Sequence, residues 1–132
     1  MQTIVVCAAV IERNGCVLLA LRKAGGEQGL LWEFPGGKLI PGESPAQCLL
    51  REINEELNMH IEVNAILEVS SHCYNPEQQI LLLAYLCRHL NGEGEALDCQ
   101  DFRWVDPDEI ENYNLAPADL PVLEKLLKLK TW

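Results

Sequence analysis

Between Ser44 and Asn58 the sequence spells out both ends of a helix. Ser44 can cap the first turn, Pro45 suits the first helical position, and Gln47, three residues after Ser44, completes a capping box. Ala46, Leu49, Leu50, Ile53 and Leu57 recur at helical spacing and are expected to face a core. Asn58 stands where the helix should stop, as the second choice after glycine for a left-handed C-cap.

The other side of this helix carries Arg51-Glu52-Ile53-Asn54-Glu55-Glu56. Glu52 precedes Glu55 and Glu56 by three and four positions, so all three carboxylates project from neighbouring points. Like charges so placed repel, and Arg51, four residues before Glu55, is the one close cation. Most glutamate runs are solvated faces. Here, however, a Gly36-Gly37 loop and Glu43 approach the same helix, and a hard divalent ion such as Mg²⁺ takes carboxylates of this kind while keeping water and phosphate oxygens in its shell.

Around the helix, Val5 to Val10, Arg13-Asn14-Gly15 and Val17 to Leu21 read as strand, tight turn and strand. Residues 23 to 31 read as a loop, continued by a short apolar piece that Pro35-Gly36-Gly37 bends. Ile61 to Ser71, Ile80 to Arg88 and Phe102 to Val105 read as strands, and Val122 to Leu129 as a closing helix with Leu123, Leu126, Leu127 and Leu129 on its apolar side. A mixed sheet covered on both faces by helices buries such a set, so the expected fold is α/β, an α/β/α sandwich. The 132 residues leave room for one domain, expected to span residues 1–132.

Twenty acidic against ten basic side chains give a formal charge of -10, a field that repels nucleic acid polymers and anionic membranes. Phosphorylated small molecules stay open to such a protein, because a divalent cation held by carboxylates becomes the largest local charge. The N-terminal apolar run lacks a basic leader and is closed by Glu12 and Arg13, so the expected location is cytoplasmic. Six cysteines without Cys-x-x-Cys or paired Cys/His spacing read as reduced, mostly buried small hydrophobes.

From Gly37 the pattern runs Gly, five residues, Glu43, seven residues, then Arg51-Glu52-Ile53-x-Glu55-Glu56-x-Asn58. It resembles the signature of the Nudix hydrolases, with Asn58 in place of the family's glycine. The resemblance implies the Nudix-type α/β/α sandwich and metal-dependent attack of water on the phosphorus of a nucleoside diphosphate linked to another group. Transferred residue by residue, Glu52, Glu55, Glu56 and the Gly37 carbonyl would hold Mg²⁺ or Mn²⁺. Glu52 or a loop carboxylate would orient or deprotonate the water, Arg51 would hold the carboxylates in place, and Glu43 would support the metal shell. Gly36, Gly42 and Asn58 are then structural positions.

Arg22, the run Trp32 to Lys38 and the segment Leu115 to Pro121 narrow the resemblance to the MutT-type pyrophosphohydrolases, most nearly those acting on CTP. Arg22 and Lys38 would then contact phosphates, and Asp98, with Asp101 as its rival, would be the loop carboxylate joining catalysis and metal binding. Asp119 stands where relatives that destroy oxidised guanine nucleotides carry Asn. An ionised carboxylate only accepts hydrogen bonds, which favours a base with an exocyclic amine, whereas the same residue two positions before Pro121 could instead cap a helix. Trp32, Phe34 and Tyr74 could flank the base, with Phe34 also suited to the core, and Gln78 is a further substrate-binding candidate.

The expected activity is hydrolysis of nucleoside triphosphates to monophosphate and pyrophosphate in nucleotide-pool sanitation, with CTP, dCTP or modified cytosine nucleotides foremost. An 8-oxo-dGTP diphosphatase and a non-hydrolytic nucleotide-sensing domain are the alternatives. The partner expected is a nucleoside triphosphate, without nucleic acid polymer or membrane, bound by a monomer or homodimer.

Overall fold

The computed structural model describes residues 1–26 and 29–129. In chain order the elements are β1 (Gln2–Arg13), β2 (Cys16–Leu21), β3 (Trp32–Glu33), β4 (Gly36–Lys38), α1 (Pro45–Leu57), β5 (His60–Asn75), β6 (Gln78–Asn91), β7 (Asp101–Val105) and α2 (Leu120–Leu127), with 3₁₀ turns at Pro107–Asn112 and Pro117–Asp119. The strands form one mixed sheet in the order β3-β2-β1-β6-β5, with β4 on β1 and β7 on β2.

Strand β1 is central. It pairs in parallel with β6 from Gln2↔Gln78 to Glu12↔Arg88, and antiparallel with β2 at one end and β4 at the other. Its uninterrupted apolar run follows from burial on both faces. Cys7, Ala9 and Ile11 join Leu18 and Ala20 beneath α1, where Cys48, Leu49, Ile53 and Leu57 pack down on them. Ala8 and Val10 join Val17 and Leu19 beneath α2, against Val122, Leu123 and Leu126. The α/β/α sandwich expected from the element order is therefore the observed architecture. Among the described residues no helix is long and apolar enough to cross a membrane.

The opening hairpin turns at Asn14 and Gly15, with φ of 52° and 81°. Helix α1 has both predicted ends: the Ser44 hydroxyl accepts from the Gln47 N–H at 3.2 Å, the Gln47 side chain accepts from the Ser44 N–H at 2.8 Å, and Asn58 is left-handed at φ 52°, ψ 47°. Four expectations are corrected. Leu50 is 47% exposed, and Cys48 occupies the core in its place. The piece around Pro35 is not a simple bent loop, because Trp32–Glu33 pairs with β2 and Gly36–Lys38 pairs with β1 through their backbones. The last helix begins at Leu120 rather than Val122, and Leu127 lies outside its buried set. Strands β5 and β6 are longer than the apolar runs suggested, since the hairpin continues to Asn75 and Gln78 with polar residues.

Four of the six free cysteines, Cys7, Cys48, Cys87 and Cys99, are buried. Cys73 is exposed and Cys16 is half-buried.

Candidate active site

Helix α1 lies over the edge where β4 meets β1, and it brings its carboxylates against the Gly-Gly backbone. A Cβ on Gly36 would collide with the Cys7 carbonyl, and one on Gly37 would run into the Glu52 carboxylate. The two glycines thus let strand, strand and helix side chain meet at one point. The turn at Gly42, with φ 91°, returns the chain to Glu43 just before the helix.

Arg51 organises the acidic side. Its guanidinium donates to Glu43 at 2.7 and 3.1 Å, to Glu52 at 2.8 Å, to Glu55 at 3.4 Å and to the Lys38 carbonyl at 3.3 Å. That forked contact holds the Glu43 carboxyl down at about 2. Glu55 remains 59% exposed. Glu56 differs from both: it is only 7% exposed and makes no salt bridge among the described residues. Burial, followed by the charges of Glu33, Glu52 and Asp98, pushes its carboxyl up to about 8.

The loop that supplies Asp98 is fastened to the end of α1. The Glu56 carbonyl accepts from the N–H groups of Leu97 and Asp98 at 3.0 and 3.2 Å, and the Leu57 carbonyl from that of Glu95 at 2.9 Å. These bonds satisfy carbonyls that a helix end otherwise leaves open. Asp98 lines an open cavity of about 390 Å³ together with Glu52, Glu56, Glu33, Arg22 and Lys23, and its carboxylate meets Lys23 at 3.0 Å. Asp101 instead accepts from the Phe102 N–H and pairs with Arg103. Of the two rivals, Asp98 is the one at the cavity.

A second hollow of about 330 Å³ shares Arg22, Glu33 and Gly36 with the first and continues between Phe34, Tyr74, Ile80, Leu82, Lys38 and Asp119. Asp119 is 5% exposed and makes no helix-capping hydrogen bond, so the capping role considered for it is absent. Its position follows from the preceding segment. Ala116 donates to the Trp32 carbonyl at 2.9 Å, the Ala118 N–H donates to the Tyr74 hydroxyl at 3.2 Å, and the Ser70 hydroxyl donates to the Ala118 carbonyl at 3.1 Å. Burial, reinforced by Glu33, raises the Asp119 carboxyl well above the usual range, while the Phe34 backbone amide and Arg22 act the other way.

Most of the expected residues therefore gather along one cleft, acidic at one end and apolar at the other. Two do not. Trp32 packs edge-on against Tyr113 and beneath Arg103, at the margin of the α2-side core and outside the hollow that Phe34 and Tyr74 line. Gln78 lies at the β5–β6 turn beside Gln2 and Asn75, where its backbone N–H donates to the Asn75 side chain. Sequence reasoning passed over Glu33, which pairs with Arg22 at 3.0 Å on the wall common to both hollows and whose carboxyl burial pushes up. The alternation Trp32-Glu33-Phe34, a charge between two aromatics, was the available signal.

The donor set at the acidic end is oxygen throughout, which suits a hard divalent cation. Buried Glu56 is a carboxylate for which such an ion would supply the missing countercharge. Among the described residues no three Asp, Glu, His or Cys side chains already converge on one coordination point. Glu52 is engaged by Arg51 and Asp98 by Lys23.

A family model described as NUDIX domain matches residues 6–125. A CTP pyrophosphohydrolase of Escherichia coli is 42% identical over 131 residues, 98% of this chain and 96% of that protein. An 8-oxo-dGTP diphosphatase of Haemophilus influenzae is 32% identical over 128 residues, 96% of this chain and 93% of that one. Among solved structures, that of the E. coli ORF135 protein matches with a TM-score of 0.88 at 40% identity, covering 99% of this chain and 93% of the other. A MutT NUDIX hydrolase from Burkholderia pseudomallei matches with a TM-score of 0.85 at 29% identity, covering 96% and 99%.

Proposed function

The chain belongs to the Nudix hydrolase family, and on that premise we propose that it is a Mg²⁺-dependent pyrophosphohydrolase, a single domain that converts CTP, dCTP or a modified cytosine triphosphate and water into the monophosphate and pyrophosphate. The observation that carries the choice of base is Asp119, buried in the apolar hollow beside the glutamate helix and free of any capping duty. Its surroundings favour the neutral carboxylic acid, which donates through its hydroxyl and accepts through its carbonyl. That pair matches the ring nitrogen and exocyclic amine side by side on the Watson–Crick edge of cytosine, and likewise of adenine. Guanine presents two donors there and calls for the charged form.

The triphosphate would lie along the acidic end. Arg22 and Lys38 are the cations that border the apolar hollow and can reach phosphate oxygens. Glu52, Glu55, Glu56, Asp98 and the Gly37 carbonyl would hold the metal ion, which when bound neutralises charge developing on the phosphates and acidifies a water. Arg51 keeps Glu52 in a fixed orientation toward Gly37, and Glu43 fixes Arg51 in turn. Glu52 or Asp98 then orients the attacking water or takes its proton, and attack at the β-phosphorus yields the stated products. Phe34 and Tyr74 border the base on the way to Asp119.

Pyrophosphate and orthophosphate release from ordinary, methylated and oxidised nucleoside triphosphates, with Mg²⁺ and with chelator, tests this reading. Metal-dependent pyrophosphate release led by a cytosine nucleotide is the expected result. Oxidised guanine in the lead would keep the site and overturn the base assignment. Absence of turnover with every triphosphate would leave a nucleotide-sensing domain or another Nudix substrate.

A further inference from the structure

The residue that departs from the family signature makes a contact that glycine cannot. Asn58 sits at the C-cap of α1, and its side-chain amide donates to the Glu95 carboxylate at 3.1 Å. Glu95 opens the segment whose N–H groups at residues 95, 97 and 98 are bonded to the last carbonyls of α1, and that segment ends at the cavity with Asp98. We propose that Asn58 is a positioning residue: through Glu95 it ties the Asp98 loop to the helix that carries Glu52, Glu55 and Glu56, so that the fourth carboxylate stands ready over the cavity.

The geometry supports this from both ends of the segment. At its start, Glu95 is held twice, by the Leu57 carbonyl through its backbone and by Asn58 through its side chain. At its end, Asp98 is held by the Glu56 carbonyl through its backbone and by Lys23 at 3.0 Å through its carboxylate. The Asn58 bond is the side-chain link between this loop and α1. Without it the loop keeps its backbone bonds, yet the first of them is exposed at a helix terminus, where fraying starts.

The inference rests on Asp98 belonging to the site, and the test separates the two. Asn58→Gly accepts the left-handed backbone and deletes only the side-chain amide. Glu95→Ala removes the acceptor, whereas Glu95→Gln retains an oxygen that can accept. Amide hydrogen exchange of Leu97 and Asp98, read by NMR without metal, should quicken in Asn58→Gly and Glu95→Ala by roughly two- to tenfold, the range of one typical solvent-exposed hydrogen bond. It should return to wild-type rates in Glu95→Gln. Binding of Mn²⁺ alone, followed by its paramagnetic resonance signal, should weaken about two- to fivefold in the same two variants with the unfolding midpoint unchanged. Unaltered exchange at Leu97 and Asp98 would overturn the tether. Quickened exchange with unaltered Mn²⁺ affinity would overturn the positioning role. Separately, Asp98→Asn with wild-type Mn²⁺ affinity and turnover would remove Asp98 from the site while leaving the exchange result standing.

Discussion

At the acidic end of the cleft, Arg51 collects Glu43, Glu52 and Glu55 into one network in contact with water, and the Glu43 carboxyl is held low. At the apolar end, Asp119 lies among Phe34, Tyr74, Ile80 and Leu82, and its carboxyl is pushed up by burial. Between them, Glu56 shares the helix of the first group and the burial of the second. The chemistry open to a carboxylate here depends on its neighbours more than on its residue type: on the proposed reading, the anions held by Arg51 serve phosphate and metal chemistry, and a carboxyl whose pKa burial raises serves base recognition.

The contrast breaks most visibly at the helix. Replacing Glu56 or Glu55 with Gln should lower turnover by about a hundredfold or more, since even outer partners of metal ligands matter by 10- to 100-fold. Circular dichroism should show the fold retained; wild-type rates would remove these residues from the proposed metal site. At the apolar end, Asp119→Leu keeps the size and removes both the donor and the acceptor, and should reduce the preference for cytosine over guanine triphosphates by about tenfold in kcat/KM. An unchanged substrate ranking would count against base reading by Asp119.

Titration sharpens the same contrast, because Glu43 and Glu56 influence stability in opposite directions. With the Glu43 carboxyl at about 2, below its ordinary value, its contribution is present at neutral pH and is lost as acid protonates it between the ordinary carboxylate range and about 2. With the Glu56 carboxyl at about 8, above its ordinary value, the folded state keeps a proton the unfolded chain has released. Stability therefore falls as pH rises through that range toward about 8. Urea unfolding in chelator should show both limbs. Glu43→Gln should flatten only the acid limb and Glu56→Gln only the other. The smallest effect belongs to the outer side of the same helix. Leu50→Ala should change stability by no more than about 0.5 kcal/mol, against roughly 2 to 5 kcal/mol for Leu49→Ala, as read from unfolding midpoints.

Much of this arrangement was legible in the residues, and the exceptions have physical reasons. Helix α1 could be bounded because its signals are local: a capping box at Ser44 and a left-handed stop at Asn58. Strand β4 could not, because Gly36 and Gly37 offer no side-chain pattern and form a strand only through the backbone of β1. Leu49 and Leu50 both fit the helical stripe, and which one is buried depends on how α1 rolls against Cys7, Ala9 and Ile11. The motif marks Glu52, Glu55 and Glu56 as a set, yet part of what raises the Glu56 carboxyl above its neighbours is the charge of Glu33 and Asp98, both distant in sequence. Asp119 was visible as a candidate, whereas its isolation from the helix cap required the path of residues 114–119 along Trp32.

The parallel register between β1 and β6 also bears on how the molecule comes into being. Gln2 meets Gln78 and Glu12 meets Arg88, so the central strand finds its longest neighbour only after more than half the chain has been made. During synthesis the β1–β2 hairpin can close early around Asn14 and Gly15, but one long side of β1 waits for β6. Because β4 and α1 assemble on that same strand, the cleft matures late in folding, and a chain interrupted before β6 holds the complete glutamate motif without the sheet that arranges it.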